Sequence, residues 1–155
     1  MLKKEWDFIP LIEIRVSDKK LTMPDISFRC TEDVANEFLK KDGVFHFLTD
    51  IAQKRFIMLC LNIKNKLINY TIISQGSLTS SIVHPREVLK PAILSNAASV
   101  IFIHNHPSGD PDPSLDDIEI TSRLCKAFNI CGINVLDHII IGDNQYFSFK
   151  QKNML

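Results

Sequence analysis

Short apolar runs alternate with turn-forming clusters along most of this chain, and the spacing inside each run identifies the element. Leu11-Ile12-Glu13-Ile14-Arg15-Val16 has the two-residue period of a strand, and Ile26-Ser27-Phe28-Arg29-Cys30 is a second candidate. Thr31 is placed to cap a helix with Ala35, Phe38 and Leu39 on one face and Asp42-Gly43 as its stop. A short helix or turn is expected between Val44 and Gln53. Arg55 to Ile63 is nearly all apolar and too short for a buried helix, which makes it a central strand. Lys64-Asn65-Lys66 then turns the chain into a returning strand, Leu67 to Ile73, broken by Gly76.

The second half keeps the same rhythm. Pro85 suits the first position of a helix that runs through Val88, Leu89, Ala92 and Ile93 to Asn96, with Pro91 as an irregularity inside it. Ala97 to Ile103 forms a buried strand that ends at His104. Prolines and Gly109 follow, and a helix is expected from about Asp116 to Asn129 with Ile118, Thr121, Leu124, Cys125 and Phe128 inward. Beyond Gly132, Val135 to Ile141 is a further buried strand, and Gly142-Asp143-Asn144-Gln145 turns into a closing strand, Tyr146 to Phe149. Strands and helices alternating in this way predict an α/β fold, a mixed sheet covered by helices.

Composition narrows the class. The 155 residues suit one domain (31–155) with a short strand-like arm (1–30) before it. Apolar residues make up 45% and charged residues 23%, an ordinary globular balance. Eighteen basic residues against eighteen acidic ones leave no broad electrostatic footprint for nucleic acid. Cys30, Cys60, Cys125 and Cys131 form no Cys-x-x-Cys pair, so reduced, buried thiols are expected rather than a zinc knuckle or a disulfide frame. The first seven residues carry acids where a signal peptide needs an apolar stretch, and no apolar run approaches the ~20 residues of a membrane helix. A cytoplasmic protein with no membrane partner is the expectation.

Chemistry concentrates in one stretch. His104-Asn105-His106 sits at a strand end, where residues two apart point to the same side, so both imidazoles can face one point. Pro107, Gly109, Pro111 and Pro113 make a stiff loop that returns the chain to Ser114 and Asp117. Two histidines and a carboxylate around an open fourth position are what catalytic zinc requires. A lone histidine beside a strand is ordinarily a packed one, and Ser114 suits the N-cap of the following helix, with Asp116 and Asp117 in its first turn. The two readings coexist, because a capped helix start would hold Asp117 near the histidines.

His104-Asn105-His106-Pro107-Ser108-Gly109-Asp110-Pro111, followed by Pro113-Ser114-x-x-Asp117, resembles the metal-site motif of the RadC family. His84-Pro85-Arg86-Glu87 and Val135-Leu136-Asp137-His138-Ile139-Ile140-Ile141-Gly142 carry the same resemblance, which extends over roughly Thr31 to Phe149. RadC proteins are similar to the JAMM (MPN-plus) metalloproteases, whose pattern is His-x-His, seven residues, Ser, two residues, Asp; residues 107 to 113 are those seven. The resemblance implies a three-layer α/β/α fold with a mixed central sheet, of the JAMM/MPN, cytidine deaminase-like kind. It implies that His104, His106 and Asp117 bind Zn²⁺, with water in the fourth position. Ser114 would hydrogen-bond the carbonyl oxygen or oxyanion of a scissile peptide or isopeptide bond. Asp137 and His138 are expected in structural or supporting roles.

The chain departs from that pattern in two places. Relatives with protease chemistry carry a glutamate near the start of the strand corresponding to Phe56–Leu61; here Lys54 stands at the expected position, and a protonated lysine cannot accept a proton. Losing a general base removes about 10² to 10⁴ in rate. Glu87 is a fallback, although an acid there also suits a helix N-terminus. Longer RadC proteins begin with a helical, DNA-associated region, whereas this chain begins with a strand-like arm. A second reading is therefore a catalytically weak zinc-binding module, in DNA repair or protein interaction. A nucleobase deaminase needs His-x-Glu and Pro-Cys-x-x-Cys, both absent. A structural zinc ordinarily takes four protein ligands, and three match.

Overall fold

The computed structural model describes residues 25–49, 53–76 and 83–155. Leu11–Val16 and most of the 1–30 arm lie outside them. The described chain runs α1 (Thr31–Leu39), α2 (His46–Thr49), β1 (Arg55–Leu61), β2 (Leu67–Gln75), α3 (Pro85–Leu94), β3 (Ser99–Asn105), α4 (Leu115–Ile130), β4 (Asn134–Ile141) and β5 (Tyr146–Ser148). The five strands form one sheet in the order β2-β1-β3-β4-β5. Only the β3–β4 pair is parallel. Parallel neighbours cannot be joined by a tight turn, and α4 is the crossover between them.

Alternation along the strands divides the interior into two cores. Phe56, Met58, Cys60, Val100 and Phe102 pack against Val88 and Ala92 of α3 and Ile120, Leu124 and Phe128 of α4. Ile57, Leu59, Leu61, Ile101, Ile103, Ile139 and Ile141 pack on the other face with Val34 and Phe38 of α1 and Phe45. Both faces of β1 and β3 are therefore buried, which is why their sequences read as unbroken apolar runs. This is the expected three-layer α/β/α arrangement with a mixed sheet. All four cysteines are free as expected, but only Cys60 is buried, its thiol pushed up to about 11 by that burial; Cys125 is half-buried, and Cys30 and Cys131 are exposed because they flank helix ends at the surface.

Five local expectations need correction. Ser27 makes one isolated bridge to Lys66, so Ile26–Cys30 is not a strand. Thr31 is the first residue inside α1 rather than its cap, since its hydroxyl donates to Asp137 Oδ2 at 2.7 Å across the domain. That helix ends at Leu39, before Asp42-Gly43, because the chain folds back so tightly that a Cβ on Gly43 would lie 2.4 Å from the Glu37 carbonyl oxygen. On α4 the inward residues are Asp117, Ile120, Thr121, Leu124 and Phe128, while Ile118 is exposed and Cys125 half-buried. Bringing a carboxylate inside rotates the seam away from Ile118. In α3 only Val88 and Ala92 are fully buried; Ile93 is exposed, and Asn96 already has the left-handed φ of 51°.

Asp137 ties the layers together. It is buried and accepts from Thr31 Oγ1 (2.7 Å), Ser148 Oγ (2.6 Å) and the backbone amides of His138 (2.7 Å) and Lys150 (3.0 Å). Thus α1, β4 and the turn after β5 share one carboxylate. Replacing Asp137 with Leu strands four donors in the interior and is expected to cost about 3–5 kcal/mol. Urea unfolding of the variant checks this; a change below about 1 kcal/mol would contradict it.

Candidate metal centre

The parallel β3–β4 pair sets where the site forms. His104 pairs across to Phe56 of β1 and Ile140 of β4, so it stands in the middle of the sheet on the face covered by α4. After His106 the chain leaves the sheet, and its course is fixed against the β4–β5 turn. Asp143 donates its amide to the Gly109 carbonyl at 2.8 Å, and a Cβ on Gly142 would come within 2.4 Å of that oxygen. Only glycine permits this approach. The loop then delivers Ser114 to the N-cap of α4.

Ser114 and Asp117 form a reciprocal cap. The Ser114 hydroxyl accepts from the Asp117 amide at 3.2 Å and donates to Asp117 Oδ2 at 2.6 Å, while the Ser114 amide donates to the same oxygen at 2.9 Å. The hydroxyl has one proton, and it is engaged by Asp117. The cap therefore orients the carboxylate toward the histidines: Oδ1 lies 3.3 Å from His104 Nε2, and Oδ2 lies 3.4 Å from His106 Nε2.

The tautomer of each imidazole follows from its other nitrogen. His106 Nδ1 lies 2.7 Å from the Asp110 carbonyl oxygen, which only accepts, so Nδ1 carries the proton and Nε2 is bare in the neutral ring. For His104 the inference runs through two residues. Thr121 Oγ1 donates its single proton to the Asp117 carbonyl at 2.5 Å, so it accepts from His138 Nδ1 at 2.6 Å. His138 Nε2 is then bare and accepts from His104 Nδ1 at 2.8 Å. That leaves His104 Nε2 without a proton, 3.0 Å from the bare Nε2 of His106. Two lone pairs and a carboxylate face each other at these distances, a repulsion that a cation between them would relieve. The three side chains offer ligand atoms within 4.8 Å of one another, a group that can hold a metal ion.

The expected ligand residues are thus brought together. His138 and Asp137 separate by strand alternation: His138 points to the metal face, stacked on Phe149 at 5.0 Å, and Asp137 to the α1 face. Glu87 is not brought in; its carboxylate bonds Arg86 Nε and Lys90 Nζ, each at 2.9 Å, on the surface. Lys54 does reach the cluster, with Nζ 3.5 Å from Asp117 Oδ1. Sequence reasoning missed Thr121 as a relay. It also missed Asn105, a buried residue that accepts from the Arg55 amide at 2.7 Å and donates to the Gln53 carbonyl at 3.1 Å. A polar residue between two strand-end ligands was the available signal.

A family profile described as the RadC-like JAB domain matches residues 29–154. A UPF0758 protein of Desulforamulus reducens is 48% identical over 130 residues, covering 84% of this chain and 55% of that protein. One from Trichlorobacter lovleyi is 55% identical over 114 residues, covering 74% and 50%, respectively. One from Caldanaerobacter subterraneus is 48% identical over 128 residues, covering 83% and 52%. The chain spans about half the length of these curated relatives. No helix among the described residues is long and apolar enough to cross a membrane.

Burial drives the His104 pKa from 6.5 down to about 4, with nearby Lys54 and His106 acting in the same direction and Asp117 against it. Burial, then His104, also lowers His138 well below its usual value. In the unfolded chain both rings take a proton near pH 6.5, which the folded state refuses. Stability is therefore full above about pH 6.5 and is lost as pH falls toward 4, by about 3 kcal/mol from His104 alone. Urea unfolding of metal-free protein between pH 7 and 4 should show this slope, reduced in His104→Leu; an identical slope in that variant would refute it.

Proposed function

This chain belongs to the RadC-like JAB domain family, and on that premise we propose that it binds Zn²⁺ through His104, His106 and Asp117 and hydrolyses a peptide or isopeptide bond. The single observation that carries this reading is the convergence of three donor groups: the two Nε2 atoms lie 3.0 Å apart, and the Asp117 carboxylate spans them, with Oδ1 3.3 Å from His104 and Oδ2 3.4 Å from His106. Zinc bonds of about 2.0–2.1 Å in a tetrahedron span roughly 3.3–3.4 Å between ligands. Nitrogen and carboxylate donors suit that ion, and three protein ligands leave a fourth position for solvent. Zinc in such a site would lower the pKa of a water in the fourth position to around 7, supplying hydroxide at neutral pH.

The chain's own residues would do the rest. His138 and Thr121 hold the His104 lone pair toward the ion, and the Asp110 carbonyl does the same for His106. Ser114 lies beside Asp117, and its hydroxyl would turn from Oδ2 to donate to the oxygen of the scissile amide. Pinning of the 107–113 loop against Gly142 keeps that hydroxyl in register with the histidines.

A specific observation favours a second reading, a zinc-binding module of low turnover that serves protein interaction or DNA repair. Lys54 stands 3.5 Å from Asp117 where the resemblance calls for a glutamate base, and no other carboxylate among the described residues bonds to the cluster. Turnover separates the two. Zinc-loaded protein that cleaves peptide or isopeptide substrates, and stops when Asp117 is changed to Ala, supports the hydrolase; bound zinc without cleavage supports the module.

Metal analysis of untagged protein tests the premise of both. About one zinc per chain is expected, falling to near zero in His106→Ala; equal zinc in the two proteins would end the ligand assignment. His138→Leu removes the acceptor that fixes His104 and should weaken zinc affinity about 10–100-fold in chelator competition. Unchanged affinity would show that the tautomer needs no such support.

A further inference from the structure

Lys54 is not a loose surface lysine. Its neighbours in the chain are clamped by the buried side chain of Asn105, which bonds the Gln53 carbonyl and the Arg55 amide. Its own carbonyl accepts from the Gly76 amide at 2.8 Å. It lies two residues before Phe56, on the sheet face that carries Phe56, Met58 and the α4 core. Its side chain is about three-quarters buried, and its one described partner is Asp117 Oδ1 at 3.5 Å. That oxygen is among those the proposed ion would take.

With the ion in place, Lys54 loses its partner to the metal while its backbone keeps it at the rim. The ammonium of a largely buried lysine, left beside an open coordination position, is complementary to an anion that bridges the two. Polyanions are disfavoured by the surroundings, because the loop and helix start beside the site expose Asp110, Asp112 and Asp116. A single compact carboxylate fits this pattern.

We infer that Lys54 is a carboxylate-recognising residue, and that the ligand of this site is a peptide presenting a carboxylate to Lys54 at the open face of the metal. This rests on the metal reading and gives its substrate class a charge requirement. The carboxylate comes from a chain terminus or from an acidic side chain, which share the same chemistry.

The test uses the full chain loaded with Co²⁺, whose visible absorption responds to a change in the open coordination position. It is titrated with N-acetyl-Ala-Ala carrying a free carboxylate, with the same dipeptide amidated, and with amidated N-acetyl-Ala-Glu. At least one carboxylate peptide should perturb the spectrum at a concentration about tenfold or more below the neutral one, and which does so identifies the source. Lys54→Met should abolish that preference while still binding Co²⁺, and Lys54→Arg should retain it. Equal responses to all three peptides in the cobalt-loaded protein, or a preference that survives Lys54→Met, would overturn the role of Lys54 alone. Cobalt bound only by Lys54→Met would make Lys54 a metal excluder and would also overturn it. Failure of every variant to bind cobalt would instead bring down the metal reading and this inference with it.

Discussion

The hydrogen bond between His138 and Thr121, 2.6 Å long, decides the chemistry of a cluster that neither residue enters. Thr121 has one hydroxyl proton and gives it to the backbone carbonyl of Asp117. Everything upstream then has a single solution: His138 donates to Thr121, His104 donates to His138, and the inward nitrogen of His104 is bare. The path begins at one candidate ligand and ends on the backbone of another. A buried network of this kind is stabilising only when its members are satisfied, and here each donor from His104 Nδ1 to Thr121 Oγ1 has its acceptor. The aromatic rings of Phe56, Phe102 and Phe149 around His138 keep water from offering an alternative.

That path requires β4 beside β3 and α4 across both, which is what the one parallel pair in the sheet provides. His104 and His138 come from adjacent parallel strands, and Asp117 and Thr121 lie one helical turn apart on the crossover helix. The same strand alternation sends Asp137 to the opposite face, where it anchors Thr31 and Ser148. Two consecutive residues of β4 thus serve separate ends: His138 sets a tautomer on one side of the sheet, and Asp137 holds the first helix on the other.

Much of this was legible in the sequence because apolar runs report directly on burial. β1, β3, β4 and the crossover helix fall where periodicity puts them, and the His-x-His spacing with Ser114 and Asp117 named the cluster. What could not be read were the choices made by polar side chains at a distance. The Thr31 hydroxyl looked like a cap and instead reaches a residue more than one hundred positions away. The α4 seam looked as though it should follow Ile118, but an inward Asp117 outweighs one exposed isoleucine, since the carboxylate finds two donors from Ser114 and faces two imidazoles. Thr121 read as an ordinary small core residue. Its relay role depends on the ring 17 positions further on, which no local pattern records.

Charge distinguishes this cluster from a site balanced for neutrality. The outer partner of a metal-binding histidine is commonly a carboxylate or a backbone carbonyl, and a carboxylate feeds negative charge toward the ion. Here His104 is backed by a neutral imidazole, His106 by a carbonyl, and the rim carries an ammonium. A divalent ion held by two neutral rings and one carboxylate would keep an uncompensated positive charge, and Lys54 would add to it. In a partly buried setting, where screening by water and salt is weak, that surplus favours an incoming negative group over a neutral one. A lysine where the resemblance calls for a proton acceptor would therefore also alter what the site attracts, because both effects would arise from one ammonium whose flanking backbone Asn105 clamps.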